Sequence, residues 1–157
     1  MNDEPEYHHH VINLNFDPAE KDLEQAIIDI AAAAVNAVRD DTVVVVLSDR
    51  NLQADKLPVH ALLATGAVHH ALIENGLRCD SNIVVETGTA RDPHHMAVLV
   101  GYGATCVYPY LSYEIIQGMV RRNELNSNDL PKLEQNCLLY TSPSPRDRTR
   151  SRMPSSA

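Results

Sequence analysis

"TVVVVL", Thr42 to Leu47, decides how this chain folds. Five aliphatic residues follow Thr42, four of them β-branched, and no polar residue alternates with them. A strand with one wet face alternates. An unbroken apolar strand is buried on both faces, as in a parallel sheet covered by helices. The run is far too short to cross a bilayer, and no basic-plus-apolar leader opens the chain. It delivers Ser48, Asp49 and Arg50 at its carboxyl end.

Working outward, strand and helix patterns alternate. Upstream, "VINLNF" (Val11 to Phe16) alternates apolar and polar and reads as one strand. In "DPAEKDLEQAIIDIAAAAVNAVRD", Asp17 reads as the helix cap, Pro18 as the first helical position and Glu20 as the capping-box partner. Leu23, Ile27, Ile30, Ala34 and Val38 then form the expected buried stripe. Downstream, a loop with Pro58 leads to a helix from about Val59 to Asn75, with Gly76 as its stop. "NIVVE", ending at Glu86, is a second buried strand. Asp92 and Pro93 start a helix that ends at Gly101 or Gly103, with Met96, Leu99 and Val100 packing inward. "ATCVY" is a further strand, and a helix follows from about Tyr113 to Arg122. The fold class expected is α/β, with a mainly parallel sheet, right-handed crossovers and a partial, barrel-like arrangement. Ligands in such folds meet the carboxyl ends of the strands, here Ser48 to Arg50, Glu86 to Arg91 and Tyr108 to Tyr110.

The 157 residues suit one domain, and 44% hydrophobic content suits a folded one. With no Trp and one Phe, the core must be aliphatic and alanine-rich. A net charge of −8 argues against broad nucleic-acid binding. Cys79, Cys106 and Cys137 are too widely spaced for a metal knuckle and too few for a disulfide framework, so a reducing, cytoplasmic setting fits.

Residues 137–157 look like different material. They hold four Arg and one Asp, which leaves 9 basic and 20 acidic residues, a net of −11, in residues 1–136. "CLLYTSPSPRDRTRSRMPSSA" reads as a disordered basic tail with almost nothing apolar after Tyr140. Its first half also resembles the in-frame translation of a transposase-type sequencing adapter, followed by three index-like residues, Arg148 to Arg150. The natural sequence is therefore expected to end near Asn136. The rival reading makes Arg146 to Arg152 a phosphate-binding arm.

Candidate chemistry is thin. His94 and His95 are neighbours, as are His69 and His70, and neighbours on a helix diverge by about 100°. Such pairs do not share one metal. His70 and Glu74 lie one turn apart and offer two ligands without a third. "HHH" at 8–10 runs straight into a strand. "GYGATC" has Cys106 where a third glycine would stand, and it leaves a helix to enter a strand, the reverse of a dinucleotide turn. Cys79 beside Arg78 reads either as an activated thiol or as a small residue at a strand edge, and the second reading is preferred. Asp49 and Arg50 read as a structural pair or as an anchor for a neighbouring domain. No Ser-His-Asp order can be assigned from spacing.

Five pieces in order, "LSDR" (Leu47 to Arg50), "LLATGAVHH" (Leu62 to His70), "LRCDSNIVVET" (Leu77 to Thr87), "ARDPHH" (Ala90 to His95) and "YGATCVYPYLSYE" (Tyr102 to Glu114), closely resemble the central region of the glutamate synthase large subunit. The resemblance runs from roughly residue 10 to residue 125. It implies an enzyme that converts glutamine and 2-oxoglutarate to two glutamates with electrons from NAD(P)H or ferredoxin. An amidotransferase domain would release ammonia, and an FMN barrel with an iron–sulfur cluster would form and reduce 2-iminoglutarate. The central domain would join these and help enclose the ammonia passage. Partners implied are those two domains and a small reductase subunit or ferredoxin, with neither nucleic acid nor membrane. On this resemblance residues 1–136 form part of the central domain. They have no amino-terminal catalytic cysteine, no cysteine cluster and no flavin phosphate site, so no catalytic, cofactor or metal residue carries over. Asp49, Arg50, Glu86, Arg91, Asp92, His94 and His95 match the family motifs and are expected to be structural or interfacial. The competing readings are a stand-alone α/β module for a small ligand or metal, and a phosphate-binding half-barrel that dimerises.

Overall fold

A computed structural model describes residues 8–124. The tail at 137–157, Cys137 and the boundary at Asn136 lie outside the described residues. The chain order is β1 (His9–Asn13), β2 (Asn15–Phe16), α1 (Leu23–Arg39), β3 (Val44–Ser48), β4 (Leu57–Pro58), α2 (Ala61–Glu74), β5 (Asn82–Glu86), α3 (Pro93–Gly101), β6 (Cys106–Tyr108) and α4 (Tyr110–Arg121). The main sheet runs β1-β3-β5-β6, and every pairing in it is parallel. The four strands lie in the order in which the chain makes them, as in an opened barrel, and among the described residues the sheet does not close.

The expected first strand is broken. Val11 to Phe16 splits at Leu14, and β2 pairs antiparallel with β4 in a separate two-stranded sheet. Leu14 is fully buried, and its backbone bonds to Ser48 and Val59 bind the two sheets together. The ladder changes partners at this residue: the Leu14 N–H still donates to β3, its carbonyl accepts from Val59, and the Asn13 side chain accepts from the Asn15 N–H in a local turn.

Helix α1 begins five residues later than the Asp17 cap predicts. Its cap is Asp22, whose side chain accepts from the Gln25 N–H. Asp17 instead closes a turn, accepting from the Ala19 N–H through its carboxylate and from Glu20 and Lys21 through its carbonyl. Two acidic caps compete here, and only the bond from the Gln25 N–H to Asp22 forms at the helix start, since the Gln25 side chain turns away to Asp29 and leaves the capping box unclosed. The buried stripe turns accordingly to Ala26, Ile30, Ala34, Val35, Ala37 and Val38, while Leu23 is exposed. Helix α2 starts at Ala61 with His60 as its cap, and Gly76, at φ +71, stops it as predicted. Helix α3 has the predicted Asp92 cap and Pro93 start, but Val100 faces solvent. Helix α4 starts three residues early, at Tyr110, with Pro109 in the cap position, where its carbonyl accepts from the Ser112 and Tyr113 N–H groups and no side chain caps the helix.

The largest correction concerns Val44 to Leu47. Val45 and Leu47 are fully buried, whereas Val44 and Val46 are only half-buried. Parallel register puts Ile12, Leu47, Val85 and Val107 in one row across the sheet, with Val45 and Ile83 beside it. All of these pack with Ile30, Ala34 and Val38 of α1 and Ala64, Val68 and Leu72 of α2. The helices therefore cover one face. The opposite face, with Val11, Val46, Val84 and Cys106 in its central row, has no layer over it among the described residues. Among those residues no helix is long and apolar enough to cross a membrane.

Candidate functional site: the carboxyl ends of the strands

The carboxyl ends of β3, β5 and β6 meet the start of α4, as the fold rule predicts, and Asp49 sits at the centre. It is 5% exposed. Its carboxylate accepts from the Thr87 hydroxyl and, at 3.0 Å, from the Gly88 N–H. Burial, then the charge of Asp49 and a hydrogen bond to it, push the Tyr110 phenol up to about 12. Gly88 lies close beneath that ring: an added Cβ would lie 3.0 Å from the Tyr110 Oη. A buried carboxylate is tolerated only when its lone pairs are filled, and here three donors fill them.

Arg50 and Glu86 form the outer layer. The Ser48 hydroxyl donates to Glu86 at 2.6 Å, and Arg50 donates to Glu86 at 3.1 Å and to Glu114 at 3.0 Å. The Arg50 guanidinium also lies 5.1 Å from the Tyr110 ring centroid. Glu86 first, then Glu114, hold Arg50 above its ordinary range. Arg50 is half-exposed, so these ion pairs contribute little stability and mainly set geometry. The expectation of an Asp49–Arg50 pair is thus replaced: Asp49 binds neutral donors, and Arg50 reaches across to Glu86 and Glu114. Glu114 was missed in the sequence, although its place one turn after Tyr110 put both on one helix face.

The other singled-out residues lie apart from this cluster. Asp92 accepts from the His95 N–H at 2.9 Å, and that bond holds its carboxyl below the usual range. The Arg91 N–H reaches His95 Nδ1 at 3.4 Å. His94 and His95 splay with ring centroids 6.5 Å apart. They line a cleft of about 300 Å³ between α2 and α3, with His60 and Thr89. No three His, Cys, Asp or Glu side chains come together to hold a metal among the described residues.

The "GYG" segment has a packing reason. Gly103 has φ +110, and an added Cβ would collide with the His69 ring. Arg78 donates to His69 Nδ1 at 3.0 Å, to the Ser81 carbonyl at 2.9 Å and to the Gly103 carbonyl at 2.8 Å. It is therefore committed to the α2–β6 seam rather than to the neighbouring Cys79, whose thiol is exposed. Burial, then Arg78, push His69 below the ordinary imidazole value.

What the fold and this face define is an open parallel α/β segment whose polar strand-end groups are spent on one another. The family follows from comparison with known proteins: the model of the glutamate synthase central domain matches residues 1–140, and the chain belongs to that family. It is 44% identical over 100 residues to the NADH glutamate synthase of Schizosaccharomyces pombe, which covers 64% of this chain and 5% of that protein. Against the ferredoxin-dependent enzyme of Pyropia yezoensis it is 44% identical over 96 residues, 60% of this chain and 6% of the relative. The NADPH glutamate synthase large chain of Bacillus subtilis gives 41% over 93 residues, 59% and 6%. The chain spans only a small fraction of the curated relatives it matches.

Proposed function

We propose that this segment is a connecting block of glutamate synthase. The whole enzyme would convert glutamine and 2-oxoglutarate to two glutamates in the cytoplasm, drawing electrons from NAD(P)H through a small reductase subunit or from ferredoxin. The segment would join the amidotransferase domain to the FMN barrel and help enclose the ammonia passage, with no catalytic residue of its own. FMN and the iron–sulfur cluster would belong to other parts of that chain. Among the described residues, Cys79 and Cys106 are exposed free thiols and no three His, Cys, Asp or Glu side chains come together, a donor set that does not fit an iron–sulfur cluster. The observation that supports this reading is the saturation of Asp49 by Thr87, Gly88 and Tyr110, which makes the strand-end face a brace rather than a reactive site.

The test is coupling in the full-length enzyme. Arg50→Ala removes the bridge between Glu86 and Glu114 without disturbing the core. Glutamine hydrolysed per glutamate formed should rise in this variant. An unchanged ratio would count against a role in enclosing ammonia.

A further inference from the structure

The open face of the sheet is the feature that neither the family nor the strand-end brace accounts for. Its central row runs Val11, Val46, Val84, Cys106 across four parallel strands. Val11 is 53% exposed, Cys106 is exposed, and Val44, Val46 and Val84 are half-buried. Polar residues frame the row: His9 and Asn82 beyond one side, Asn13, Ser48 and Glu86 beyond the other. Parallel sheets occur almost only with both faces covered, because their strands are apolar on both. A central row of three valines and a cysteine, with Val44 beside it, fits that rule better than it fits a solvated surface.

We infer that this face seats an aliphatic layer contributed by another part of the same full-length polypeptide. The inference rests on the connecting-block reading and names the surface that does the connecting. Area decides between a tethered layer and a second copy of the chain. Three strands of five residues and one of three, about 4.8 Å apart with about 3.3 Å per residue, give a footprint of about 290 Å². A stable interface between separate chains needs about 800 Å² per partner. The face is too small to hold a free partner and ample for one already attached, which forgoes most of the entropy of association. The relatives supply that attachment, since the matched stretch is only 5% of the Schizosaccharomyces pombe protein.

Cys106 is a built-in reporter on this face, and Cys79, in the turn after α2, is the comparison thiol. Native full-length enzyme is treated with iodoacetamide, and peptide mass spectrometry follows each site against the urea-unfolded protein. Cys106 should react at least about tenfold slower than in the unfolded chain, as a covered site does. Cys106 reacting at the unfolded rate overturns the inference. A second variant guards against protection from another cause. Val11→Lys on an exposed edge strand is a change that open edges accept readily. Loss of soluble full-length enzyme, or a thermal midpoint lowered by several degrees, supports the covered face, and an unchanged midpoint contradicts it. Coupling of glutamine use to glutamate formation is read separately with Arg50→Ala. A free Cys106 with coupling still sensitive to Arg50 therefore refutes this inference alone.

Discussion

Replacing Asp49 with Ala tests whether the strand-end cluster is a brace. The carboxylate takes hydrogen bonds from Thr87 and Gly88 and carries the Tyr110 phenol against it. Hydrogen bonds to a charged group contribute about 1.5–3 kcal/mol each, and orphaned buried donors cost about 1–3 kcal/mol each. Removing the buried charge returns part of its desolvation cost. Balancing these, Asp49→Ala should destabilise the chain by about 3–5 kcal/mol, a large share of the roughly 5–15 kcal/mol typical of a domain. With a urea slope of about 1.5 kcal/mol/M, the unfolding midpoint should fall by about 2–3 M. Far-UV circular dichroism in urea reads this directly. Asp49→Asn keeps an acceptor for the Gly88 N–H and should lose about half as much. A midpoint for Asp49→Ala within about 0.3 M of the parent would refute the reasoning, because a residue 5% exposed with three donors cannot be removed so cheaply if those bonds hold the fold.

Gly103→Ala should cost about 2–4 kcal/mol, combining a left-handed backbone with a collision at His69, and thermal unfolding checks it. His69 also sets a pH dependence. Its folded pKa lies below the unfolded 6.5, so the unfolded chain binds the extra proton first and stability falls as pH drops below about 6.5. Urea midpoints between pH 7.5 and 5 should show this slope, and His69→Asn, which keeps an acceptor for Arg78, should flatten it. Resequencing the source DNA across codons 136–157 should reveal adapter sequence, whereas a genomic read continuing through those codons would overturn that reading.

Much of the architecture was legible because its signals are local. Valine-rich β3, Asn82 to Glu86, the Asp92–Pro93 start and the Gly76 stop each carry their own chemistry, and all fell where the pattern placed them. The errors came where two local signals compete or where tertiary context decides. Asp17 and Asp22 both look like caps, and only the packing of Ala26 and Ile30 selects the second. The strand changes sheets at Leu14 although its alternation is continuous, because the Asn13 side chain takes the Asn15 N–H and the Leu14 carbonyl pairs with Val59, neither of which spacing reveals. The unbroken apolar run at Val43 to Leu47 promised two covered faces, and the structure covers one. Of the strand-end cluster, the residues were legible but the partners were not: Asp49 turned from Arg50 to Thr87, Gly88 and Tyr110, a pairing set by strand register rather than by spacing.

The central claim is that these strands and helices join reactive domains and react with nothing themselves. The direct measurement incubates the purified 157-residue chain with glutamine, 2-oxoglutarate, FMN and a reduced electron donor, and follows glutamate by mass spectrometry. The account predicts no glutamate above the protein-free control; sustained formation that scales with added chain would contradict it.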